Sequence, residues 1–140
     1  MTTILRDTVL VIDDDPDCRG MIEALARIRS VPVLQARNCG EGLRVLEREH
    51  RRIKIILLDY FMPGMEPAQC ASSIVARAGT AIPVVLITAA VDATARGAAL
   101  NVSRCLSKPF DIAALETLLT ETPGSDQFSI LNSHPIRIEN

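Results

Sequence analysis

Two spacings of hydrophobic residues alternate along this chain. Continuous aliphatic runs, such as residues 9–12 and 55–58, are typical of strands buried on both faces of a parallel sheet. We predict such strands over residues 8–12, 31–36, 53–58, 82–88 and 104–106. Between them, apolar residues recur at helical spacing and predict helices that begin near residues 16, 40, 67, 92 and 112.

This alternation predicts an α/β fold, a doubly wound five-stranded parallel sheet with five flanking helices. Asp15 stands just before Pro16 and is suited to cap the first helix, as Asp111 is suited to cap the last. Ile28 in the first helix and Ile112 in the last continue the apolar spacing, so we expect both side chains to face the core.

Length and composition predict one domain. The chain has 140 residues, 48% of them hydrophobic, which is enough for a substantial core. We assign residues 1–121 to this domain and 122–140, where the pattern is lost, to a C-terminal tail or a linker stub. A net charge of −2 gives no general attraction to nucleic acid or anionic membranes, and no apolar run is long enough to cross a bilayer. We therefore expect a soluble, cytoplasmic chain.

The cysteines and one basic cluster have ordinary explanations. The four cysteines, at positions 18, 39, 70 and 105, show neither a C-x-x-C pair nor zinc-ligand spacing. Isolated cysteines are more often small core residues of a chain in a reducing compartment. The cations over residues 48–54 are interpreted as the solvated end of the second helix, and a nucleic-acid patch is the less favoured alternative.

Polar residues of complementary chemistry follow the predicted strands. They are Asp13 and Asp14 after the first strand, Asp59 after the third, Thr88 at the end of the fourth and Lys108 after the fifth. The carboxyl ends of parallel strands meet at one edge of the sheet, where ligands bind. Three carboxylates there suit Mg²⁺, and a carboxylate beside Mg²⁺ can attack a phosphoryl group. A lysine and a threonine can hold phosphate oxygens.

With these residues in this order, the chain resembles the receiver domains of bacterial two-component response regulators. The resemblance covers residues 8–121 and rests on four motifs, which are Asp13-Asp14, Asp59 with Met62-Pro63-Gly64, Thr88-Ala89 and Lys108-Pro109-Phe110. It implies a flavodoxin-like sheet of strand order 2-1-3-4-5. It also implies a signalling switch rather than an enzyme, with Mg²⁺-assisted self-phosphorylation and slow self-dephosphorylation as its chemistry.

The resemblance implies a role for each acidic residue. Asp59 would accept a phosphoryl group from a phosphohistidine on a sensor histidine kinase or a histidine phosphotransfer protein. Asp14 would bind Mg²⁺ directly and Asp13 largely through water. Asp59 and the backbone carbonyl of Phe61 would complete the protein ligands.

The remaining site residues would hold the phosphoryl group. Thr88 and Lys108 would contact its oxygens, Ala89 would leave room for it, and the Lys108–Pro109 bond would be cis. A downstream protein target would recognise the phosphorylated form. The resemblance implies no nucleic-acid or membrane partner for this domain, and it leaves a homodimer open.

The chain also departs from the family pattern. Cys105 occupies the switch position, where an aromatic residue is usual, and the Thr88-to-Lys108 spacing is about two residues short. Both changes predict a non-standard output face. Phe61 and Ala90 occupy positions that influence hydrolysis in the family, and neither side chain can hydrogen-bond an attacking water, which predicts a long-lived phosphoryl group.

Two other functions compete with a phosphorylation-dependent, stand-alone receiver. The first is a receiver-like protein-interaction module that acts independently of phosphorylation, which Cys105 and the short spacing favour. The second is a small phosphatase of the haloacid-dehalogenase type with an aspartyl-phosphate intermediate. Residues 59–61 lack the second acid of the D-x-D motif in those enzymes, which argues against the phosphatase.

Overall fold

Strands and helices alternate along the chain in the computed structural model, which describes residues 6–62, 64–88 and 104–121. The elements in chain order are β1 (Thr8–Ile12), α1 (Pro16–Ile28), β2 (Val33–Ala36), α2 (Cys39–Glu49), β3 (Ile53–Asp59), α3 (Pro67–Ala78), β4 (Val84–Thr88), β5 (Arg104–Ser107) and α4 (Ile112–Thr120). The helix predicted near residues 92–100 and the segment 122–140 lie outside the described residues.

All neighbouring strands pair in parallel, in the order β2-β1-β3-β4-β5. The fold class and strand order predicted from the sequence are therefore confirmed. Every residue of β1, β3 and β4 is buried, which accounts for their continuous aliphatic runs. No helix among residues 6–62, 64–88 and 104–121 is long and apolar enough to cross a membrane.

The sheet divides the core into two layers because successive strand residues point to opposite faces. Leu10 and Ile12 pack in a layer that includes Leu46 of α2 and Ile74 of α3. Val9 and Val11 pack in the opposite layer, with buried residues of α1 and α4. Helices therefore cover both faces and leave the strand ends accessible to the loops.

Side-chain caps fix where α1 and α4 begin. The Asp15 carboxylate accepts a hydrogen bond from the Asp17 N–H, and Pro16 occupies the first turn. Asp111 caps α4 in the same way through the Ala113 N–H. Both caps confirm the sequence prediction. The carboxylate of Asp15 is thereby committed to the helix, although it adjoins the acidic pair.

The ends of α1 and α4 correct two predictions about the core. Ile28 and Ile112 are 73% and 47% exposed, so the expectation that they face the core is wrong. Each is the terminal residue of its helix, so the helix has no further turn on one side to cover the side chain. The observed strand bounds differ from the predicted ones by one or two residues. Strands β2 and β4 each begin two residues later than predicted, and β3 and β5 each continue one residue further.

A disulfide joins Cys39 to Cys70, with their Cα atoms 6.0 Å apart. The prediction of isolated cysteines in a reducing compartment is therefore wrong for this pair. The two residues are 31 positions apart in sequence, but α2 and α3 contact each other on one face of the sheet, which brings their first turns together. Cys18 and Cys105 are buried thiols, as predicted.

A buried ionic cluster lies at the end of α4. Lys54 is only 7% exposed and donates to the Glu121 carbonyl at 2.9 Å, so its assignment to a solvated cationic cluster is wrong. The Glu121 carboxylate pairs with Arg104 Nη1 at 3.1 Å. Burial raises the pKa of Glu121, and the charge of Arg104 opposes that effect. These contacts join the last turn of α4 to β3 and β5.

Gly42 of α2 packs directly against β1, and its substitution tests that packing. A Cβ atom at this position would lie 2.5 Å from Cδ1 and 2.9 Å from Cγ1 of Ile12, which is wholly buried. Overpacking of this kind costs about 1–3 kcal/mol. We expect Gly42→Ala to lower the free energy of unfolding by about 1 kcal/mol or more in urea denaturation, despite the better helix propensity of alanine.

Gly20 of α1 is the matched control, because a Cβ atom there would meet nothing within 4 Å. Gly20→Ala should raise the free energy of unfolding by roughly 0.5–1 kcal/mol. The opposite signs are the test. Equal stabilisation by both substitutions would show that Gly42 does not contact β1 as described.

Candidate functional site

Three carboxylates converge at the carboxyl edge of the sheet. One oxygen from each of Asp13, Asp14 and Asp59 lies within 4.8 Å of the others. The first two follow β1 and the third ends β3, which are adjacent parallel strands in register. The structure thus brings together the acidic residues that the sequence predicted to meet.

Asp13 is held at both oxygens of its carboxylate. The Asp15 N–H donates to Oδ1 at 3.0 Å, and Lys108 Nζ donates to Oδ2 at 2.8 Å. The backbone N–H of Asp13 also donates to the Ala36 carbonyl at 3.0 Å, and the residue is wholly buried. Asp14, by contrast, is exposed and can turn its carboxylate toward an ion in solution. This difference fits the expected division between a direct ligand and one acting through water.

The pKa values of Asp13 and Asp59 separate in opposite directions. Burial would raise the pKa of Asp13, but hydrogen bonds from Cys18, Lys108 and Asp15 outweigh it and hold that pKa below its usual value. Burial and the nearby charge of Asp13 raise the pKa of Asp59 to about 7. In the metal-free protein, protonation of Asp59 is therefore the cheapest way to relieve the repulsion between the two acids.

Lys108 connects the two buried acids. Its Nζ lies 2.8 Å from Asp13 Oδ2 and 3.7 Å from Asp59 Oδ2. Burial would lower the pKa of Lys108, but the hydrogen bond to Asp13 and the charge of Asp59 outweigh it and raise that pKa. The backbone N–H of Lys108 donates to the Thr88 carbonyl at 3.0 Å, which fixes the loop after β5 to the end of β4. The Lys108–Pro109 bond is cis, as predicted.

The other predicted site residues lie around this centre. Thr88 is wholly buried at the end of β4. Phe61 is 49% exposed, and its backbone N–H donates to the Asp59 carboxylate, so its main chain lies against the acid. Cys105 lies inside β5, is 4% exposed and pairs in register with Leu86. Ala89 and Ala90 lie outside the described residues.

Two contacts with Asp13 were missed by the sequence prediction. The Cys18 thiol donates a hydrogen bond to the Asp13 carboxylate, and burial together with that bond raises the pKa of Cys18 to about 12. Arg19 Nη1 donates to the Asp13 backbone carbonyl at 2.7 Å. The available signal was position, since both residues lie in the first turn and a half of the helix that follows the acidic pair. Cys18 was assigned only to the core.

The donor set fits a hard divalent cation. Carboxylate oxygens at this density are the ligands Mg²⁺ prefers, and it is commonly held by one or two carboxylates plus waters and phosphate oxygens. The exposed Asp14 leaves the cluster open on the solvent side, where water or a phosphoryl group can enter. The ammonium of Lys108 limits the negative charge without filling that opening.

Comparison with known families identifies the family and the fold. The family model described as the response regulator receiver domain matches residues 9–120. The chain belongs to this family. The resemblance noted in the sequence is thereby confirmed, and this receiver domain is a member of a family of signalling switches rather than of conventional enzymes.

Several curated proteins are similar to this receiver domain. The uncharacterized 14.6 kDa protein in the sodA1 3'region of Leptolyngbya boryana is 31% identical over 124 residues, covering 86% of this chain and 93% of that protein. Protein PilH of Pseudomonas aeruginosa is 31% identical over 114 residues, covering 79% of this chain and 90% of that protein.

Other relatives are longer than the receiver domain. A probable transcriptional regulator, ycf27 of Porphyridium aerugineum, is 28% identical over 113 residues, which cover 79% of this chain. The match spans 45% of ycf27 and 49% of the CpxR homolog of Haemophilus influenzae. The chain therefore spans about half the length of these two regulators.

Solved structures show the same fold at lower identity. The chemotaxis protein CheY4 of Vibrio cholerae superposes with a TM-score of 0.70 at 22% identity, covering 81% of this chain and 96% of that chain. The receiver domain of Ssk1 from Saccharomyces cerevisiae was crystallised with the histidine phosphotransfer protein Ypd1. It gives a TM-score of 0.72 at 17% identity, covering 87% of this chain and 92% of that chain.

The raised pKa of Asp59 predicts pH-dependent metal binding. Mg²⁺ requires the ionised carboxylate, so protonation of Asp59 competes with the metal. We expect the affinity for Mg²⁺ to fall as the pH is lowered through about 7, with a proton released for each ion bound below that pH. Isothermal titration calorimetry in buffers of different ionisation enthalpy measures both quantities.

Asp59→Asn is the control for this pH dependence. It removes the titrating group but keeps the shape of the side chain, so any residual Mg²⁺ binding should lose its pH dependence near 7. An affinity for Mg²⁺ in the intact protein that is the same above and below that pH would contradict the assignment of Asp59 as a competing proton acceptor.

Proposed function

We propose that this receiver domain is a phosphorylation-dependent switch that accepts a phosphoryl group onto Asp59 in a Mg²⁺-dependent reaction. One observation carries the proposal: the buried Asp59 carboxylate lies beside the Asp13–Asp14 pair and within 3.7 Å of Lys108 Nζ, at the open end of the sheet. A nucleophile, a set of metal ligands and a cation for phosphate are thus present together.

The side chains suit an in-line transfer from phosphohistidine. An Asp59 oxygen forms the new P–O bond as the P–N bond to the donor imidazole breaks, and the imidazole leaves with the electron pair of that bond. The Phe61 N–H orients the nucleophile, since it donates to the Asp59 carboxylate. Bound Mg²⁺ would neutralise charge on the phosphoryl oxygens, held by Asp14, Asp59 and the Phe61 carbonyl, with Asp13 acting through water.

Lys108 and Thr88 stabilise the transferred group. Lys108 Nζ, already between Asp13 and Asp59, needs only a small shift to contact a phosphoryl oxygen. Thr88, at the end of the strand next to β3, would donate its hydroxyl to another phosphoryl oxygen, and Ala89, which follows it in sequence, has a side chain too small to obstruct the group. Lysine acts here as a point charge on phosphate.

The phosphoryl donor is a sensor histidine kinase or a histidine phosphotransfer protein. Support comes from the yeast receiver domain of the same fold, which was crystallised with its histidine phosphotransfer protein. Phe61, two residues after Asp59 in sequence, is 49% exposed, so its ring offers an apolar contact to an incoming protein. Asp14, also exposed, lies on the same open side of the cluster.

The output of the switch is expected to be non-standard. A receiver with an aromatic residue at the position of Cys105 can move a large ring between exposed and buried positions. The small Cys105 side chain is 4% exposed and packs in the core layer with Leu86, so its movement would alter little surface. We therefore propose that a downstream protein recognises the phosphorylated edge through other residues.

Family membership favours a cytoplasmic location for the switch. The Cys39–Cys70 disulfide argues against a reducing compartment, because such bonds persist mainly in oxidising ones.

Incubation with acetyl phosphate and Mg²⁺ tests the proposed function. Acetyl phosphate is a small-molecule donor, so the test needs no knowledge of the kinase. Intact-mass measurement should show one added phosphoryl group on the intact chain and none on Asp59→Ala. Chelation of the metal with EDTA should also prevent the adduct, because the uncompensated carboxylates repel the donor.

Asp111→Ala is a matched control, since it removes an aspartate that only caps α4. This variant should still form the adduct. A folded, intact protein that forms no adduct under these conditions would overturn the proposal and favour the interaction module that acts independently of phosphorylation.

The phosphorylated protein should lose its phosphoryl group slowly. Phe61 presents a hydrocarbon ring at a position where a polar side chain could orient an attacking water. We expect Phe61→Asn to shorten the lifetime of the adduct, followed by intact mass after the donor is removed. Phe61→Leu, which is equally unable to hydrogen-bond, should leave it long. Loss of the phosphoryl group from the unsubstituted protein within seconds would contradict this prediction.

A further inference from the structure

Arg19 of α1 contacts the backbone of the acidic pair rather than its carboxylates. Its Nη1 donates to the Asp13 carbonyl oxygen at 2.7 Å, a short charge-assisted hydrogen bond. The bond is part-buried and runs from the helix after β1 back to the end of that strand. The function proposed above assigns no role to Arg19.

Gln35 holds the Arg19 guanidinium, and Glu23 in turn holds Gln35. Arg19 Nε donates to Gln35 Oε1 at 3.1 Å, and Gln35 Nε2 donates to Glu23 Oε1 at 3.0 Å. Gln35 lies in β2, opposite Val11 of β1, so its backbone is fixed by the sheet. The chain Glu23–Gln35–Arg19 thus connects α1 and β2 to the Asp13 carbonyl.

The held carbonyl belongs to the peptide group that joins Asp13 to Asp14. A peptide group is planar, so the position of the Asp13 oxygen also sets the position of the Asp14 nitrogen and Cα. The Asp13 side of this peptide is fixed independently, by its N–H to Ala36 and by its carboxylate contacts. Asp14 itself is exposed, and its direction depends on this plane.

We propose that Arg19 is a positioning residue that orients the Asp13–Asp14 peptide and thereby directs the Asp14 carboxylate toward the divalent cation. The inference rests on the proposed function, because it assumes that Asp14 is a metal ligand. Gln35 keeps the guanidinium in the orientation that reaches the carbonyl. Groups that orient metal ligands in this way commonly contribute about 10–100-fold to metal affinity.

The positive charge of Arg19, taken alone, would weaken Mg²⁺ binding, whereas a positioning role would strengthen it. A cation near a divalent metal site repels the metal, so removing that cation should strengthen binding if electrostatics were its only influence. A purely structural role would lower the stability of the fold and leave the affinity for Mg²⁺ unchanged. Only a positioning role predicts weaker Mg²⁺ binding by a folded protein that has lost a positive charge.

The experiment compares Mg²⁺ affinity with stability in four variants. Isothermal titration calorimetry gives the dissociation constant for Mg²⁺, and thermal denaturation in EDTA gives the stability of the metal-free fold. We expect Arg19→Ala to raise the dissociation constant about tenfold. Arg19→Lys should restore part of the affinity, since one ammonium can reach the carbonyl but cannot also hold Gln35 through a planar fork.

Gln35→Met and Arg77→Ala complete the set. Gln35→Met keeps every charge but removes the group that holds Arg19, so it should also weaken Mg²⁺ binding, by less than Arg19→Ala does. Arg77→Ala removes an equal charge from the last turn of α3, where the side chain is exposed and the chain leads into β4, at the edge of the sheet opposite the acids. Arg77→Ala should leave Mg²⁺ binding unchanged.

The outcomes separate this inference from the proposed function. Absence of Mg²⁺ binding by the intact protein would reject the proposed function itself. Normal Mg²⁺ binding by the intact protein, with equal or tighter binding by Arg19→Ala, would reject the positioning role alone. Weaker binding by Arg19→Ala, partial recovery in Arg19→Lys and no change in Arg77→Ala would establish it.

Discussion

The contact between Lys108 and Asp13 is the interaction on which the carboxyl edge of the sheet depends. Two acids, Asp13 and Asp59, are buried close together, and like charges repel strongly where the dielectric constant is low. The ammonium of Lys108 lies 2.8 Å from one and 3.7 Å from the other, so a single cation offsets both. Because β1, β3 and β5 each supply one of these groups, the ion pair also joins three strand ends that are distant in sequence.

The same contact prepares the site for chemistry. Asp13 keeps its ionised form through several hydrogen bonds, whereas burial and the charge of Asp13 raise the pKa of Asp59. In the proposed reaction, a divalent cation would replace the proton that Asp59 otherwise carries, and phosphoryl oxygens would compete with the aspartates for Lys108. The charge arrangement of the metal-free site is therefore one that the proposed ligands could replace group by group.

The strand order and the meeting of the acids were predictable because chain order, parallel pairing and apolar patterning decide them together. The exposure of Ile28 and Ile112 was not, since periodicity does not say how far a helix extends beyond the sheet. The Cys39–Cys70 bond depends on the alignment of two helix starts, which no local pattern encodes. Lys54 lies in a strand that is buried throughout, and its ammonium finds a carbonyl partner at Glu121, 67 residues later in the chain.

Asp13 is constrained both by neighbouring secondary structure and by residues of the site. The Asp13 backbone is bonded to β2 through Ala36 and to α1 through Arg19, while its carboxylate contacts Asp15 and Lys108. Asp14, by contrast, is exposed. In the proposed metal site, the buried and hydrogen-bonded Asp13 would thus fix the main chain from which the Asp14 carboxylate reaches the cation. The neighbouring side chains could then differ in role, because the contacts that hold Asp13 also set the starting direction of Asp14.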